Sequence, residues 1–204
     1  MTRWMSWVLA SALLLAAGAS LAQEPAQVRV RGTIEAVDGA MLTVRSRDRQ
    51  MVYRIKVADD AVVRGIVPAS LAEIKNDAFV GVSGMPQADG SQKALEVHIF
   101  PEAMRGTGEG HGPWDLVPDS TMTNATVAQR VKGVDGEVIT LKYKGGEKKV
   151  VVLPQTRIVT FVPGDKRELE RGAKIFIAGA RRLADGTLEA RSIAVGRDGL
   201  APPM

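Results

Sequence analysis

An internal repeat constrains the fold more than any other feature of this chain. GTIEAVDGAMLTV (residues 32–44) returns as AQRVKGVDGEVITL (128–141), and residues 65–99 match residues 160–193. Landmarks recur in one order with nearly constant offsets: Val37 as Val134, Pro68 as Pro163, Gly84 as Gly179, Ala88 as Ala184 and Leu95 as Leu188. A repeat of this length predicts two domains of one kind. We place them at 27–100 and 125–197, with a connector at 101–124 and a tail at 198–204.

The hydrophobic pattern within each repeat is that of β-strands. MLTVR and VITLKY alternate apolar and polar residues, while VVVL and IFIA are apolar runs of strand length. Gly39 and Gly136 each follow an aspartate, which is typical of tight hairpin turns because glycine adopts positive φ without steric cost. One short helix per repeat is predicted after a proline, at 69–74 and at 165–171.

Three strands, a short helix and two more strands form the element order of a small OB-like barrel. We therefore predict an all-β protein of two tandem OB-like five-stranded barrels, each with a short helix between its third and fourth strands. A sheet that closes on itself leaves no exposed edge strand. A seven-stranded sandwich is the alternative. Parallel α/β folds are disfavoured because the chain lacks the repeated helices that parallel strands need.

The first 22 residues have the three-part layout of a secretory signal peptide. A basic start at Arg3 precedes an apolar stretch over 7–15, and small residues at Ser20 and Ala22 suit cleavage before Gln23. The apolar stretch is shorter than the ~20 residues that span a bilayer. We expect a periplasmic or secreted protein that is not an integral membrane protein after cleavage. An uncleaved membrane anchor is the alternative.

Composition excludes several kinds of chemistry. The chain has no cysteine, so it forms no disulfide and offers no thiolate to a metal or a substrate. The formal net charge of the whole chain is only +4, which argues against a nucleic-acid partner. We expect an envelope protein or a polymer as partner. The basic strand residues near Arg45 and Lys142 are interpreted as solvated outer faces.

The recurring pattern resembles a known family. The pattern G-x-(I/V)-x-x-VDG-x-x-(L/I)-T, then VP, a polar helix, an apolar strand ending in glycine, ADG and LEA is similar to exported bacterial small β-barrel domains of unknown function. The resemblance covers both repeats and implies a fold rather than an activity. HIFPEAMRGTGEGHGPWDL (98–116) is also similar to proteobacterial relatives labelled metal-transporter permeases. The permease label does not suit this chain, because no apolar segment after the leader could cross a membrane.

The connector carries the candidate metal ligands. The metal hypothesis joins five side chains: His98, Glu102, Met104, Glu109 and His111. Imidazole and carboxylate suit a divalent metal such as zinc, copper or nickel, and a thioether adds a preference for copper(I). The spacing is permissive because several glycines and prolines separate the histidines. In the alternative, His98 makes a surface hydrogen bond and His111 lies in a solvated loop.

Trp114 and the connector glycines complete the candidate sites. The indole of Trp114 offers a face for a stacked ligand, and the alternative is that it pins the connector to a barrel. Gly106, Gly108, Gly110 and Gly112 do not match a phosphate-binding motif. A GxSxG nucleophile elbow is likewise missing. The sequence therefore favours a non-enzymatic binding or adaptor protein of the cell envelope, with a periplasmic metal-binding accessory protein as the alternative.

Overall fold

The computed structural model describes residues 27–133 and 136–204, and within these ranges the chain is almost entirely β. The twelve strands of the described part are β1 (Gln27–Asp38), β2 (Met41–Ser46), β3 (Val52–Pro68), β4 (Phe79–Pro86), β5 (Gln92–Ile99), β6 (Gly110–Pro113), β7 (Thr121–Lys132), β8 (Glu137–Tyr143), β9 (Gly146–Val152), β10 (Arg157–Pro163), β11 (Lys174–Arg182) and β12 (Leu188–Gly196). The predicted all-β class is confirmed. The predicted signal peptide and the second VDG turn at 134–135 lie outside the described residues.

The predicted helices are replaced by shorter structures. Where helices were expected at 69–74 and 165–171, the chain forms 3-10 turns of three residues, Leu71–Glu73 and Lys166–Glu168. The last residue of each turn is a glutamate whose side chain caps the start of the same turn. Glu73 accepts a hydrogen bond from Ser70 N over 2.7 Å, and Glu168 accepts one from Asp165 N over 2.8 Å. A third 3-10 turn, Glu102–Met104, lies in the connector.

Five strands close into a β-barrel in the order β11-β1-β2-β3-β12, which we call the first barrel. Strand β12 completes it by pairing with β11 on one side and with β3 on the other. A second set of five strands, in the order β5-β4-β7-β8-β9, forms what we call the second ring. Strand β9 pairs with β5 there, through Gln92–Val150 and Lys93–Val151.

The two repeats exchange strands between these rings. The sequence predicted that residues 27–100 would close one barrel and residues 125–197 the other. The pairing instead joins β1–β3 of the first repeat with β11 and β12 of the second. Strands β4 and β5 of the first repeat join β7–β9 of the second. Each ring is therefore completed by strands from both halves of the chain.

The length of β3 explains why the chain leaves the first barrel. Strand β3 spans 17 residues, and Asp59 and Asp60 lie within it, where its register against β12 shifts between Val57 and Val62. It pairs with β12 as far as Ile66 and with β10 as far as Pro68, so it leads the chain from the first barrel to the contact with β10. The second repeat is interrupted at the matching place by Leu153–Thr156, where Thr156 N donates to Leu153 O over 2.9 Å. Pro154 in this turn has no N–H to continue a sheet.

The contact between β3 and β10 is approximately two-fold symmetric. Arg64 pairs with Pro163, Ile66 with Phe161 and Pro68 with Val159 in an antiparallel register. Because Pro163 is the repeat counterpart of Pro68, exchanging the two repeats returns the same pairing. We call this contact between the two rings the seam.

The strand register corrects one match between the repeats. The sequence repeat aligned Leu95 with Leu188. In the structure Leu188 pairs with Ile55, and Val150, the repeat counterpart of Ile55, pairs with Gln92, so Gln92 rather than Leu95 occupies the place of Leu188. Leu95 lies at a β-bulge and is 38% exposed, so its side chain does not share the core face of Val97. A bulge leaves one residue unpaired, which shifts the face of each residue before it.

Three apolar clusters hold the structure together. The first fills the first barrel with residues of β1–β3, β11 and β12, and the second fills the second ring around Val80, Val97 and Leu141. The third lies at the seam, around Ile66, Phe161 and Phe176. The predicted tail contributes to this third cluster, because Met204 is buried there and is only 6% exposed.

Candidate functional site

A cavity of about 160 Å³ lies at the seam, and we call it the seam cavity. It is lined by Arg64, His98, Phe100, Met104, Thr107, Trp114, Met122, Asn124, Phe161, Phe176, Ala178, Ser192, Ile193, Ala194 and Met204. Thr107 and Ala178 are exposed, so the cavity opens to solvent on their side. Both repeats, the connector and the tail contribute to its wall.

Neighbouring strands of the second ring align two rows of side chains toward the seam. In one row, Gly81 of β4 pairs with His98 of β5 and with Asn124 of β7. In the next row, Ser83 of β4 pairs with Glu96 of β5 and with Met122 of β7. Residues two apart on a strand point to the same face, so both rows belong to one surface.

Gly81 makes this arrangement sterically feasible. A Cβ atom on Gly81 would lie 2.6 Å from Asn124 Oδ1, 3.0 Å from Phe100 Cε2 and 3.3 Å from His98 Nδ1. The first contact is closer than real Cβ atoms show, and the other two are tight. The missing side chain therefore leaves the space that the amide and the two rings occupy.

The surface holds several buried polar atoms that have no hydrogen-bond partner among the described residues. Three belong to side chains that line the seam cavity: His98 Nε2, Trp114 Nε1 and Asn124 Oδ1. Two more, Ser83 Oγ and Glu96 Oε1, belong to the adjacent row. An unsatisfied buried polar atom costs about 1–3 kcal/mol. A cluster of them beside a cavity indicates a place for a polar group that is not part of this chain.

Glu96 and His98 form a buried pair. Their side chains are 3% and 1% exposed, and His98 Nε2 lies 3.2 Å from Glu96 Oε1, off the line of a hydrogen bond. This contact leaves Nδ1 on the side of Gly81 and Asn124. The sequence analysis gave a surface hydrogen bond as the alternative role of His98, which lies on the strand face that points away from the ring interior. The seam covers that face, so the imidazole is buried.

Aromatic rings form the apolar part of the wall. Phe100 and Phe161 stack with ring centroids 5.3 Å apart, and Phe79 packs on Phe100 at 5.4 Å. The His98 ring meets Phe100 and Phe161 edge-on, at 6.4 and 6.3 Å. These contacts fix the orientation of the imidazole from two sides.

Trp114 is held against the first barrel by charged side chains. The Arg29 guanidinium lies 3.8 Å from the ring centroid of Trp114. Asp115 binds Arg29 at 2.9 Å and Arg31 at 2.7 Å, and Arg31 Nε also donates to the backbone oxygen of Met204. Trp114 thus joins the connector to β1 and also lines the cavity.

The predicted metal ligands are only partly brought together. Of the five, His98 and Met104 line the seam cavity. Glu102 pairs with Arg105 at the surface, and Glu109 Oε1 accepts a hydrogen bond from Lys144 N over 2.9 Å. Within residues 27–133 and 136–204, no three histidine or acidic side chains gather as a group that could hold a metal ion.

His111 lies away from this surface, on β6. Its Nδ1 is 2.8 Å from Thr123 Oγ1, and its ring stacks at 6.4 Å on Tyr143. Partial burial, together with the positive charge of Lys148, lowers the pKa of His111 below its ordinary value. Of the two histidines, only His98 belongs to the seam cavity.

The sequence did not single out several residues of the site. Met122 and Asn124 lie in STMTNAT, where two seam-facing residues alternate with Thr121, Thr123 and Ala125, which face the ring interior. The sequence shows this alternation, but it does not show that the outward-facing residues line a cavity. Met204 lies about 80 residues from Asn124, in a stretch read only as a tail.

The comparisons with known proteins identify a domain but no activity. Residues 31–98 match a family model described as a domain of unknown function (DUF5666). The match covers β1 to β5, which the structure divides between its two rings, and supports the resemblance for the first repeat. No curated protein and no solved structure matches the chain. The described residues contain no helix long and apolar enough to cross a membrane.

Proposed function

We propose that this protein is an exported, non-enzymatic binding protein of the cell envelope, and that it holds a small ligand in the seam cavity. In this proposal both rings are OB-like barrels, and the second is the repeat counterpart of the first. The observation that carries the proposal is the set of unpartnered polar atoms on His98, Trp114 and Asn124, set in a mostly apolar wall. Ligand sites typically combine an apolar wall with a few such polar groups.

The arrangement of polar groups favours binding over hydrolysis. Ser83, Glu96 and His98 have the residue types of a hydrolytic triad and lie within two adjacent rows. However, Ser83 is fully buried, does not line the cavity and makes no hydrogen bond with the imidazole. A nucleophile must reach both its base and the substrate. The groups that do face the cavity can donate or accept hydrogen bonds.

The test compares the Tm of the exported form with and without the small-molecule fraction of a bacterial periplasmic extract. A ligand that binds only the native state, at a hundred times its Kd, stabilises it by about 2.7 kcal/mol. For a protein of this size that raises the Tm by about 5–10 °C. We expect such a rise for the wild type, and no change in its Tm would overturn the proposal.

Two matched variants connect the effect to the cavity. Ala178→Trp narrows the cavity mouth, whereas Ala128→Trp places the same side chain at an exposed strand position that does not line it. Both alanines are exposed, so each variant retains the buried core. The stabilisation should be lost in Ala178→Trp and kept in Ala128→Trp. Equal stabilisation of both variants would place the ligand elsewhere and contradict the seam-cavity site.

A further inference from the structure

The seam cavity gathers soft metal ligands from distant parts of the chain. Three of its lining residues are methionines: Met104 of the connector, Met122 of β7 and Met204 of the tail. The other methionines of the described residues, Met41, Met51 and Met85, do not line it. His98 adds a buried imidazole to the same wall. Thioether sulfur is a soft ligand that selects copper(I) over zinc or magnesium.

We propose that the seam cavity binds a soft monovalent metal ion, copper(I) or silver(I), through His98 and the thioethers of Met104, Met122 and Met204. This inference rests on the proposed function, because it assigns a ligand class to the same cavity. It differs from the metal site expected from the sequence, because Glu102, Glu109 and His111 take no part.

The polar and flexible groups of the cavity fit such an ion. His98 is held by Phe100 and Phe161 and lines the cavity, and its contact with Glu96 through Nε2 leaves Nδ1 for a bound ion. Methionine has three rotatable bonds and a polarizable sulfur, so each thioether can turn toward a bound ion. The rigid imidazole and the adaptable sulfurs together supply up to four ligands.

The surrounding charges favour one positive charge over two. Glu96 lies 3.2 Å from the imidazole and is almost fully buried, so it attracts a cation. Arg64 also lines the cavity and opposes the entry of a cation. Arg29, on the Trp114 ring, is paired with Asp115 at 2.9 Å, so its charge is partly offset. A doubly charged ion would be repelled more strongly by Arg64 than a singly charged one.

The experiment titrates the exported form with silver nitrate, since silver(I) is an air-stable probe of soft sites. Trp114 is the only tryptophan after the leader, so its fluorescence reports events at the cavity. We expect uptake of one equivalent, quenching of Trp114, and NMR shifts of the methyl groups of the three cavity methionines. The methyl signals of Met41, Met51 and Met85 should not move.

Matched leucine variants separate the cavity from the rest of the chain. The cavity variant Met104→Leu/Met122→Leu/Met204→Leu removes three sulfurs at nearly constant volume, a change that cores tolerate well. The control variant is Met41→Leu/Met51→Leu/Met85→Leu. Silver affinity should fall in the cavity variant by more than the 10- to 100-fold that loss of an outer-sphere partner costs. It should be unchanged in the control variant.

Each further outcome decides between the hypotheses. His111→Gln and Glu109→Gln should bind silver like the wild type, and a loss of affinity in either would favour the connector site instead. No uptake, or equal uptake by the two leucine variants, would overturn the inference. If silver does not bind while the periplasmic extract still raises the Tm, the metal inference fails and the proposed binding function stands.

Discussion

Cutting the connector tests the strand exchange directly. A protease site inserted between Gly106 and Thr107 divides the chain into a half that contains β1–β5 and a half that contains β6–β12. In the structure the second half supplies five large side chains to the core of the first barrel, each no more than 2% exposed: Ile175, Ile177, Leu188, Ile193 and Val195. Burial of each is worth about 1.5–3 kcal/mol.

The five together contribute about 8–15 kcal/mol of apolar burial. That is as large as the whole stability of a typical domain, about 5–15 kcal/mol. The separated first half should therefore be unfolded, because β1–β3 cannot close without β11 and β12. The second half should be unfolded as well, because β7–β9 lack β4 and β5. An equimolar mixture should refold as a complex of the two halves.

The assay compares each isolated half, their mixture and the uncut chain by circular dichroism and by ¹⁵N-correlation NMR of one labelled half. The uncut chain with the same inserted site is the control for the insertion itself. Dispersed signals and cooperative urea unfolding in an isolated half would show that one repeat closes its own barrel. That result would refute the exchange of strands.

Four further substitutions test particular contacts. Ile193→Ala, at a fully buried position of β12, should destabilise the uncut chain by about 2–5 kcal/mol in urea unfolding, whereas the exposed Val62→Ala should change it little. Lys148→Met should raise the pKa of His111, measured by NMR titration, because it removes the positive charge that helps lower it. Since this lowered pKa contributes stability that is lost as pH falls below about 6.5, His111→Gln should flatten the stability profile there; an unchanged profile would contradict the assigned burial. Asp115→Asn should cost less than about 1 kcal/mol, because its ion pairs are partly exposed, yet shift the fluorescence of Trp114; an unaltered spectrum would argue against the arginine clamp.

Local features of the fold could be read from the sequence because their causes are local. Alternating apolar residues predicted β2 and β8, and the structure has strands there. Gly39 was predicted to form a hairpin turn, and it adopts a positive φ. Both signals depend on a few neighbouring residues, so they survive whatever the distant parts of the chain do.

The candidate site could be predicted only in part. His98, Met104 and Trp114 were identified by residue type, and all three line the seam cavity. Gly81, Asn124 and Met204 were not, because their roles depend on strand register and on where the tail packs. A register is set by long-range pairing, which residue spacing along the chain does not reveal.

The sequence by itself determined that the chain is all-β, that its strand unit occurs twice, and where most strands and turns fall. Only the tertiary structure decided which strands share a ring. Two similar repeats offer each strand two nearly equivalent partners, and the local pattern does not distinguish between them. Strand β3 resolves the choice: it pairs with β12 as far as Ile66 and with β10 as far as Pro68, so it carries the chain from the first barrel to the seam, and the exchange that follows creates the seam and its cavity.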